Sequence, residues 1–387
     1  MKRMIFLRVA VCAVALGARF VFAQELTQVA KDPDGHGMLC MAGKKRVLIV
    51  SGTPEQMGAA HGRLLSDLVP HVMPRTMALV GAGYTVQKGV WFYDRIDEIV
   101  RRASPYTPER FLRECRAMGV AAGITERDAL CGNFFPELFH CSGVAVRNTA
   151  SADGRVVHAR VLDYMRDINL QKYTVLQVFV PDDGIPWMSV GYAGFLGTVT
   201  AMNARGFAIG EMGGRGEGAW DGMPMTFLMR EVAERASTVE DALRIMRKAP
   251  NTCEYYYVLS DAKREIVGVY ATPDKFEVLQ PGQQDPRLPK VPEDTVLISG
   301  GSRAKVLSER LHQHFGKITP EMMIEIIKRP VAMNSNLHNA VFVPETLDMW
   351  FADAGKSTPA CDEPYTKVNL KELLDFYAAQ GKVDAQK

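Results

Sequence analysis

The sequence has no run of like charges, and its formal net charge is only +2. That leaves no electrostatic case for nucleic acid or an anionic surface as partner. Its cysteines show no paired CxxC spacing, so no metal site is expected. The glycine-rich stretch from Gly213 to Trp220, GGRGEGAW, lacks the Gly-Lys-Ser/Thr ending of a phosphate loop. It also lacks the acidic partner of a dinucleotide fold, so no cofactor is expected; it reads as a loop near a substrate mouth. No internal repeat or low-complexity segment is present. Beyond the N-terminal stretch, nothing approaches the length of a membrane span.

What is there is a chain of 387 residues, 47% hydrophobic and 23% charged. That suits a globular protein with a sizeable core, as one large domain or two smaller ones. Residues 1–23, MKRMIFLRVAVCAVALGARFVFA, have a basic start, an apolar centre and a small residue at Ala23. This is the pattern of a secretory signal peptide with Val21-Phe22-Ala23 at the cleavage site. Arg8 and Arg19 interrupt the apolar stretch and argue against a retained anchor. The expectation is an exported protein, periplasmic or secreted, beginning near Gln24 and not inserted in the membrane. Cleavage reduces the cysteines from seven to six: Cys40, Cys115, Cys131, Cys141, Cys253 and Cys361. An even set in an exported chain can be paired; the spacing leaves the pairing open.

Up to His140 the sequence reads mostly as helix, after one strand-like run, KRVLIV. Thr53-Pro54-Glu55, Thr107-Pro108-Glu109 and Thr319-Pro320-Glu321 are three helix starts of one kind. In each, threonine caps, proline takes the first helical position and glutamate meets the positive end. An amphipathic segment is expected over Gln56–Leu79, and helices over Arg110–Val120 and from Thr125. From Cys141 the period shortens. Strands are expected at Cys141–Val146, Arg155–Leu162, Tyr173–Val180, Trp187–Tyr192, Leu196–Met202 and Phe207–Met212. Asp153-Gly154 signals a hairpin between the first two. Helices then start near Thr226 and at the capping box Ser237-Thr238-Val239-Glu240. Strands at Tyr255–Leu259, Ile266–Tyr270 and Thr295–Ile298 precede helices at Arg303–His314 and Thr319. Strands at Ala340–Val343 and Leu347–Phe351 close the pattern. Strands grouped before helices indicate an α+β fold with antiparallel sheets. The divisions expected are 24–140, a mostly helical segment, and 141–387, the catalytic segment, packed as one unit.

Cys141 stands where helical sequence gives way to the hairpin, with no histidine-bearing catalytic signature around it. A free cysteine often does no more than pack. Cleavage of the His140–Cys141 bond would change that, because Cys141 would then carry a free α-amine. Such an amine has a reference pKa near 8 and can take the proton of its own thiol. The site would also need a cation to favour the thiolate, a carboxylate to orient the amine and a donor for the oxyanion. Arg160 and Asp163 lie on the returning strand. Three residues separate them, so both reach Cys141 only if the strand end twists or breaks.

Cys141-Ser142, Asp153-Gly154-Arg155 and Ala159-Arg160-Val161-Leu162-Asp163-Tyr164 together resemble the opening of cysteine N-terminal-nucleophile hydrolases. The likeness is to the acyl-coenzyme A:6-aminopenicillanic acid acyltransferase family of autoproteolytic enzymes. Choloylglycine hydrolases and acid ceramidases are more distant. Ala159 and Val161 stand where that family has glycine and asparagine. GYAGFLGTVTAMNARGFAIGEMGG is similar to the stretch carrying an oxyanion-hole asparagine, here Asn203. GGSRAKVL resembles the segment with a second site arginine, here Arg303. CEYYYVLSD places Tyr255 and Tyr256 where relatives carry an asparagine.

The resemblance implies an αββα sandwich of two antiparallel sheets flanked by helices. It implies Cys141, Arg160, Asp163, Asn203 and Arg303 as catalytic residues, and Tyr164 and Tyr256 as substrate-binding residues. The activity implied is attack on an amide C–N bond of an N-acyl compound or short peptide, through a thioester on Cys141. A weak or inactive binding protein on the same scaffold is the alternative. A papain-like Cys-His-Asp site using His338 and Asp163 competes, but chain order and the sequence around Cys141 fit it poorly.

Overall fold

A computed structural model describes residues 25–134 and 140–384. The expected signal peptide lies outside the described residues. Three strands come first: β1 (Leu26–Lys31), β2 (Gly37–Ala42) and β3 (Lys45–Gly52). Helices α1 (Pro54–Leu64), α2 (Met77–Lys88), α3 (Phe92–Ala103), α4 (Glu109–Ala122) and α5 (Glu126–Phe134) follow. Next come β4 (His140–Asn148), β5 (Gly154–Asp163), β6 (Thr174–Pro181), β7 (Trp187–Tyr192), β8 (Thr200–Asn203) and β9 (Phe207–Gly213). Helices α6 (Met225–Arg235) and α7 (Val239–Lys248) lead to β10 (Tyr255–Asp261), β11 (Ile266–Ala271), β12 (Phe276–Leu279) and β13 (Thr295–Ile298). The chain continues through α8 (Gly301–Gln313), α9 (Pro320–Ile326), β14 (Asn336–Val343), β15 (Asp348–Asp353), β16 (Thr366–Asn369) and α10 (Leu370–Asp384).

The strands form two sheets. One has ten strands in the order β1-β2-β3-β6-β7-β8-β9-β10-β11-β12; the other has six, β13-β4-β5-β14-β15-β16. Their neighbours run antiparallel except β3 and β6, which pair in parallel. That pairing makes the first segment's strands part of the larger sheet. The segment expected to be mostly helical thus also supplies three strands.

Side-chain alternation builds the layers. On β4 and β5, Val144, Val146, Val157, Ala159 and Val161 point outward onto Leu307, Leu311 and Met323 of α8 and α9. Cys141, Ala145, Val156 and Leu162 point inward and meet Tyr192, Met212 and Val258 of the ten-stranded sheet. The other half of the interface joins Val47, Ile49, Leu176 and Val178 to Phe342, Met349 and Phe351. The far face of the ten-stranded sheet packs on α1 to α7. This is the expected αββα sandwich.

Several helix ends differ from expectation. Thr53 caps α1, with the full box to Gln56. Thr107 does not cap α4; its hydroxyl donates to Ala103 O, the end of the preceding helix. The capping box near α7 moves one residue on: Thr238 accepts from Asp241 N, and Asp241 accepts from Ser237 N. The amphipathic segment over Gln56–Leu79 is not one helix. It breaks after α1 and resumes through a π-turn, His71–Thr76, whose Pro74 has no N–H to give the ladder. Leu196–Val199 is not strand; only Thr200–Asn203 pairs.

Charges are buried in the helical layer. Arg230 on α6 donates to both carboxylate oxygens of Glu114 on α4, at 3.0 and 2.6 Å, and to Glu234 at 2.8 Å. It also donates to Leu196 O, while Gly194 N donates to His61 on α1. Three helices and the β7–β8 connection are thereby tied together. Arg230→Leu leaves two buried carboxylates without their counterion, so it should cost roughly 3–5 kcal/mol in urea unfolding. An unchanged midpoint would contradict this account of the layer.

Candidate active site

The hairpin β4–β5 sets the site by register. Cys141 lies opposite Leu162, Gly143 opposite Arg160, and His140 opposite Asp163. Arg160 therefore shares the inward face with Cys141, one step further along. Its Nη2 donates to the Cys141 Sγ at 3.5 Å. The guanidinium is fully buried between the sheets. Two glycines make room for it. A Cβ at Gly210 would stand 2.6 Å from Arg160 Cγ, and a Cβ at Gly143 would stand 2.7 Å from Met212 Sδ.

Asp163 has the opposite parity, and its carboxylate meets the other arginine. Arg303 of α8 pairs with Asp163 and donates to the Cys141 backbone carbonyl at 3.3 Å. The second carboxylate oxygen accepts from Met333 N at 2.9 Å. The register of β14 on β5 shifts between Asn336 and His338, next to Asp163. The twist or break expected at the end of β5 does not occur: its register on β4 runs unbroken to Asp163, and the irregularity is on β14. Burial raises the Asp163 carboxyl, against the pull of Met333 N–H and Arg303.

Burial also pushes the Cys141 thiol up to about 12, and Arg160 pulls against it. A carboxylate that sequence reasoning missed stands beside them. Glu211 on β9 accepts from Arg160 Nη2 at 3.5 Å and, through its backbone carbonyl, from Nε at 3.1 Å. Burial pushes its carboxyl up to about 7, again opposed by Arg160. The available signal was an acid inside the apolar run FAIGEM, on the strand face that alternates with Met212.

Cys141 opens onto a cavity of about 440 Å³. Met212, Leu279, Leu288 and Ile298 give it apolar walls, and Glu277, Gln283, Asp285 and Arg287 give it a polar rim. Tyr256 and Arg303 are on its wall. The Tyr256 hydroxyl donates to Glu254 at 2.9 Å, and its ring lies on Tyr270. Tyr164 is elsewhere. It lines two further cavities of about 70 and 320 Å³, with Met73, Met77, Val80 and Phe92 from the helices. Gly213 of the glycine-rich stretch lines the Cys141 cavity. Further along, Glu217 binds Lys88 at 2.9 Å, so the loop is tied to α2.

Asn203 is not at the site. It ends β8 opposite Trp187, and its side chain is fully used there. It donates to Ala233 O and Ala236 O and accepts from Arg205 N and Phe207 N. It shapes a turn and caps a helix end rather than holding an oxyanion. His338 contacts Arg160 rather than Cys141, and Asp163 is taken by Arg303, so the Cys-His-Asp arrangement does not form. His158 is a packed histidine, bonded to Ser260 Oγ at 2.8 Å and set edge-on to Phe342. The six cysteines among the described residues are all free thiols. No group of His, Cys, Asp and Glu among the described residues is placed to hold a metal ion.

A buried cysteine near the head of a strand, between two antiparallel-dominated sheets with helices outside, defines the class as an α+β sandwich. Residues 151–280 match the model of the acyl-coenzyme A:6-aminopenicillanic acid acyl-transferase family. It is 23% identical over 334 residues to Protein dcd1B of Dictyostelium discoideum, covering 76% of this chain and 65% of that protein. It is 24% identical over 196 residues to N-acylethanolamine-hydrolyzing acid amidase of Rattus norvegicus, covering 48% of this chain and 53% of that protein. The chain spans about half to two-thirds of the length of the curated relatives it matches. A Caenorhabditis elegans ortholog of that amidase superposes at a TM-score of 0.44 and 17% identity, over 53% of this chain and 93% of that one.

The Gly210–Arg160 approach is testable. Gly210→Ala should lower stability by about 1–3 kcal/mol through overpacking. It should also slow iodoacetamide alkylation of Cys141, read from that peptide by mass spectrometry. Alkylation at the wild-type rate would mean that the glycine does not set the arginine's position.

Proposed function

We propose that this chain is an exported, self-cleaving amidohydrolase or acyltransferase that acts on the C–N bond of a small N-acyl amide or short peptide. One observation carries the reading. Cys141 begins a central strand at the wall of a 440 Å³ cavity, with a buried guanidinium 3.5 Å from its sulfur. A cavity of that size suits a small organic substrate. Cleavage between His140 and Cys141 frees an α-amine at the head of β4. Asp163, across from His140 in the register, would orient that amine.

The amine takes the thiol proton, and the thiolate attacks the acyl carbonyl. A thioester forms on Cys141 and the amine part of the substrate leaves with the proton. Water or a second amine then accepts the acyl group. Arg160 lowers the cost of the thiolate behind the sulfur. Arg303 is the donor on the cavity wall that takes over from Asn203. The apolar part of the substrate fits against Met212, Leu279 and Ile298, and its polar part faces the rim around Arg287.

A second reading keeps the scaffold as a binding protein. What favours it is the engagement of Asn203 elsewhere and the tie of Tyr256 to Glu254.

Intact mass and N-terminal sequencing separate the two. The enzyme reading expects a chain beginning Cys-Ser-Gly, a companion beginning near Gln24, and no cut in Cys141→Ala. A single uncut chain from active material would sink self-cleavage. For turnover, a panel of N-acyl amides should show release of the free amine. Cys141→Ala should reduce that release by at least about 10³-fold, as loss of a nucleophile does. Residual turnover close to wild type would remove Cys141 from the chemistry.

A further inference from the structure

Arg160 has five N–H groups and a site with few acceptors. Its Nε is held by Glu211 O at 3.1 Å. Its Nη2 is shared between the Cys141 sulfur and the Glu211 carboxylate, each at 3.5 Å. Both distances are long, so neither contact fixes the end of the side chain. The other carboxylate oxygen of Glu211, Oε1, is buried without a hydrogen-bond partner. A buried guanidinium beside a half-satisfied carboxylate tends to close on it as a bidentate pair, and that would take the cation off the sulfur.

The opposing contact is His338 on β14, whose Nε2 lies 3.3 Å from Arg160 Nη1. Arginine only donates, so Nε2 accepts and carries no proton. Thr200 Oγ1 lies 2.9 Å from the same nitrogen and must also donate to it. The ring proton is then on Nδ1, which donates to the Tyr192 hydroxyl at 2.8 Å. Three strands of two sheets, β7, β8 and β14, thus fix one neutral tautomer with its lone pair aimed at the guanidinium. Burial and the adjacent Arg160 charge both disfavour a protonated ring.

We propose that His338 is a positioning residue for Cys141: its Nε2 lone pair holds Arg160 Nη1 and so keeps Nη2 at the sulfur instead of on Glu211. This rests on the reading of Cys141 as the nucleophile. The charged and titratable groups around the thiol are Arg160 on β5, Glu211 on β9, Asp163 at the end of β5 and Arg303 on α8. Around His338 they are Arg160 and Tyr192.

The test compares His338→Gln with His338→Met in the full chain. The two side chains have similar length and volume, but only glutamine ends in an acceptor that can take the place of Nε2. The readout is the pH profile of Cys141 alkylation by iodoacetamide, followed on the Cys141 peptide, with the cleavage state recorded by intact mass. His338→Met should raise the midpoint by about one to two pH units, equal to about ten- to a hundredfold slower alkylation below it. His338→Gln should stay within about half a unit of wild type, a difference below that scale.

Equal shifts in both variants, or none in His338→Met, would overturn the proposal; the first outcome would mean packing alone. Should His338→Met not fold, Tyr192→Phe decides. Loss of the Nδ1 acceptor frees the other tautomer, whose Nε2–H faces Arg160, so the midpoint should rise by a smaller amount. A profile identical to wild type would overturn the proposal. Absence of self-cleavage in the wild-type chain would count against the enzyme reading only, since alkylation is measured on cut or uncut protein alike.

Discussion

The fold closes around a positive charge that bulk solvent does not reach. Arg160 is wholly enclosed between two sheets whose other facing residues are mostly apolar. Burying an ion of this size costs several kcal/mol even after relaxation, unless its hydrogen bonds are met. They are met by four acceptors: the Glu211 carbonyl, the Glu211 carboxylate, the Cys141 sulfur and the His338 ring. These come from three strands, β9, β4 and β14. The sheets must therefore sit in one register for the charge to be tolerated, and that register is the one that places a cation at the thiol. Gly143 and Gly210 keep the gap narrow enough, since a methyl group at either would strike the facing sheet or Arg160 itself.

A second enclosed arginine does comparable work in the helical layer. Arg230 binds carboxylates on α4 and α6 and the carbonyl of Leu196 in the connection before β8. Asn133, at the end of α5, is bonded to Gly194 O and Leu196 N in the same connection. Only the short segment 135–139 separates α5 from β4. The helices before Cys141 and the strands after it thus share one hydrogen-bonded network. With β3 paired to β6, a break ahead of Cys141 would cut the chain without separating the halves.

Much of this was legible in the sequence because it depends on local period. The β4–β5 hairpin, the inward face shared by Cys141 and Arg160, and the arginine of α8 follow from alternation, a turn signal and motif order. The edge strands β1 and β2 were not legible. β1 is largely exposed, with the pattern LTQVAK, and carries little of a strand's apolar alternation. Asn203 shows a different failure. An asparagine before Ala-Arg-Gly reads the same whether it serves a turn or an oxyanion, and only its four backbone partners decide. Glu211 and His338 were opaque for a third reason. Each is explained by a neighbour on another strand, Arg160, far away in the chain.

The thiol's environment sets two effects against each other. Enclosure raises the Cys141 pKa to about 12, and the guanidinium offsets only part of that. At neutral pH the sulfur of the intact chain is a packed, protonated group with little nucleophilic character. Moving Arg160 toward the sulfur favours the thiolate; moving it toward Glu211 favours the carboxylate, which burial raises and Arg160 pulls back down. A single cation is shared between two acids that cannot both have it in full. The groups that aim the cation therefore govern reactivity as much as the sulfur does. A charge supplied at the head of β4 would act on this shared cation.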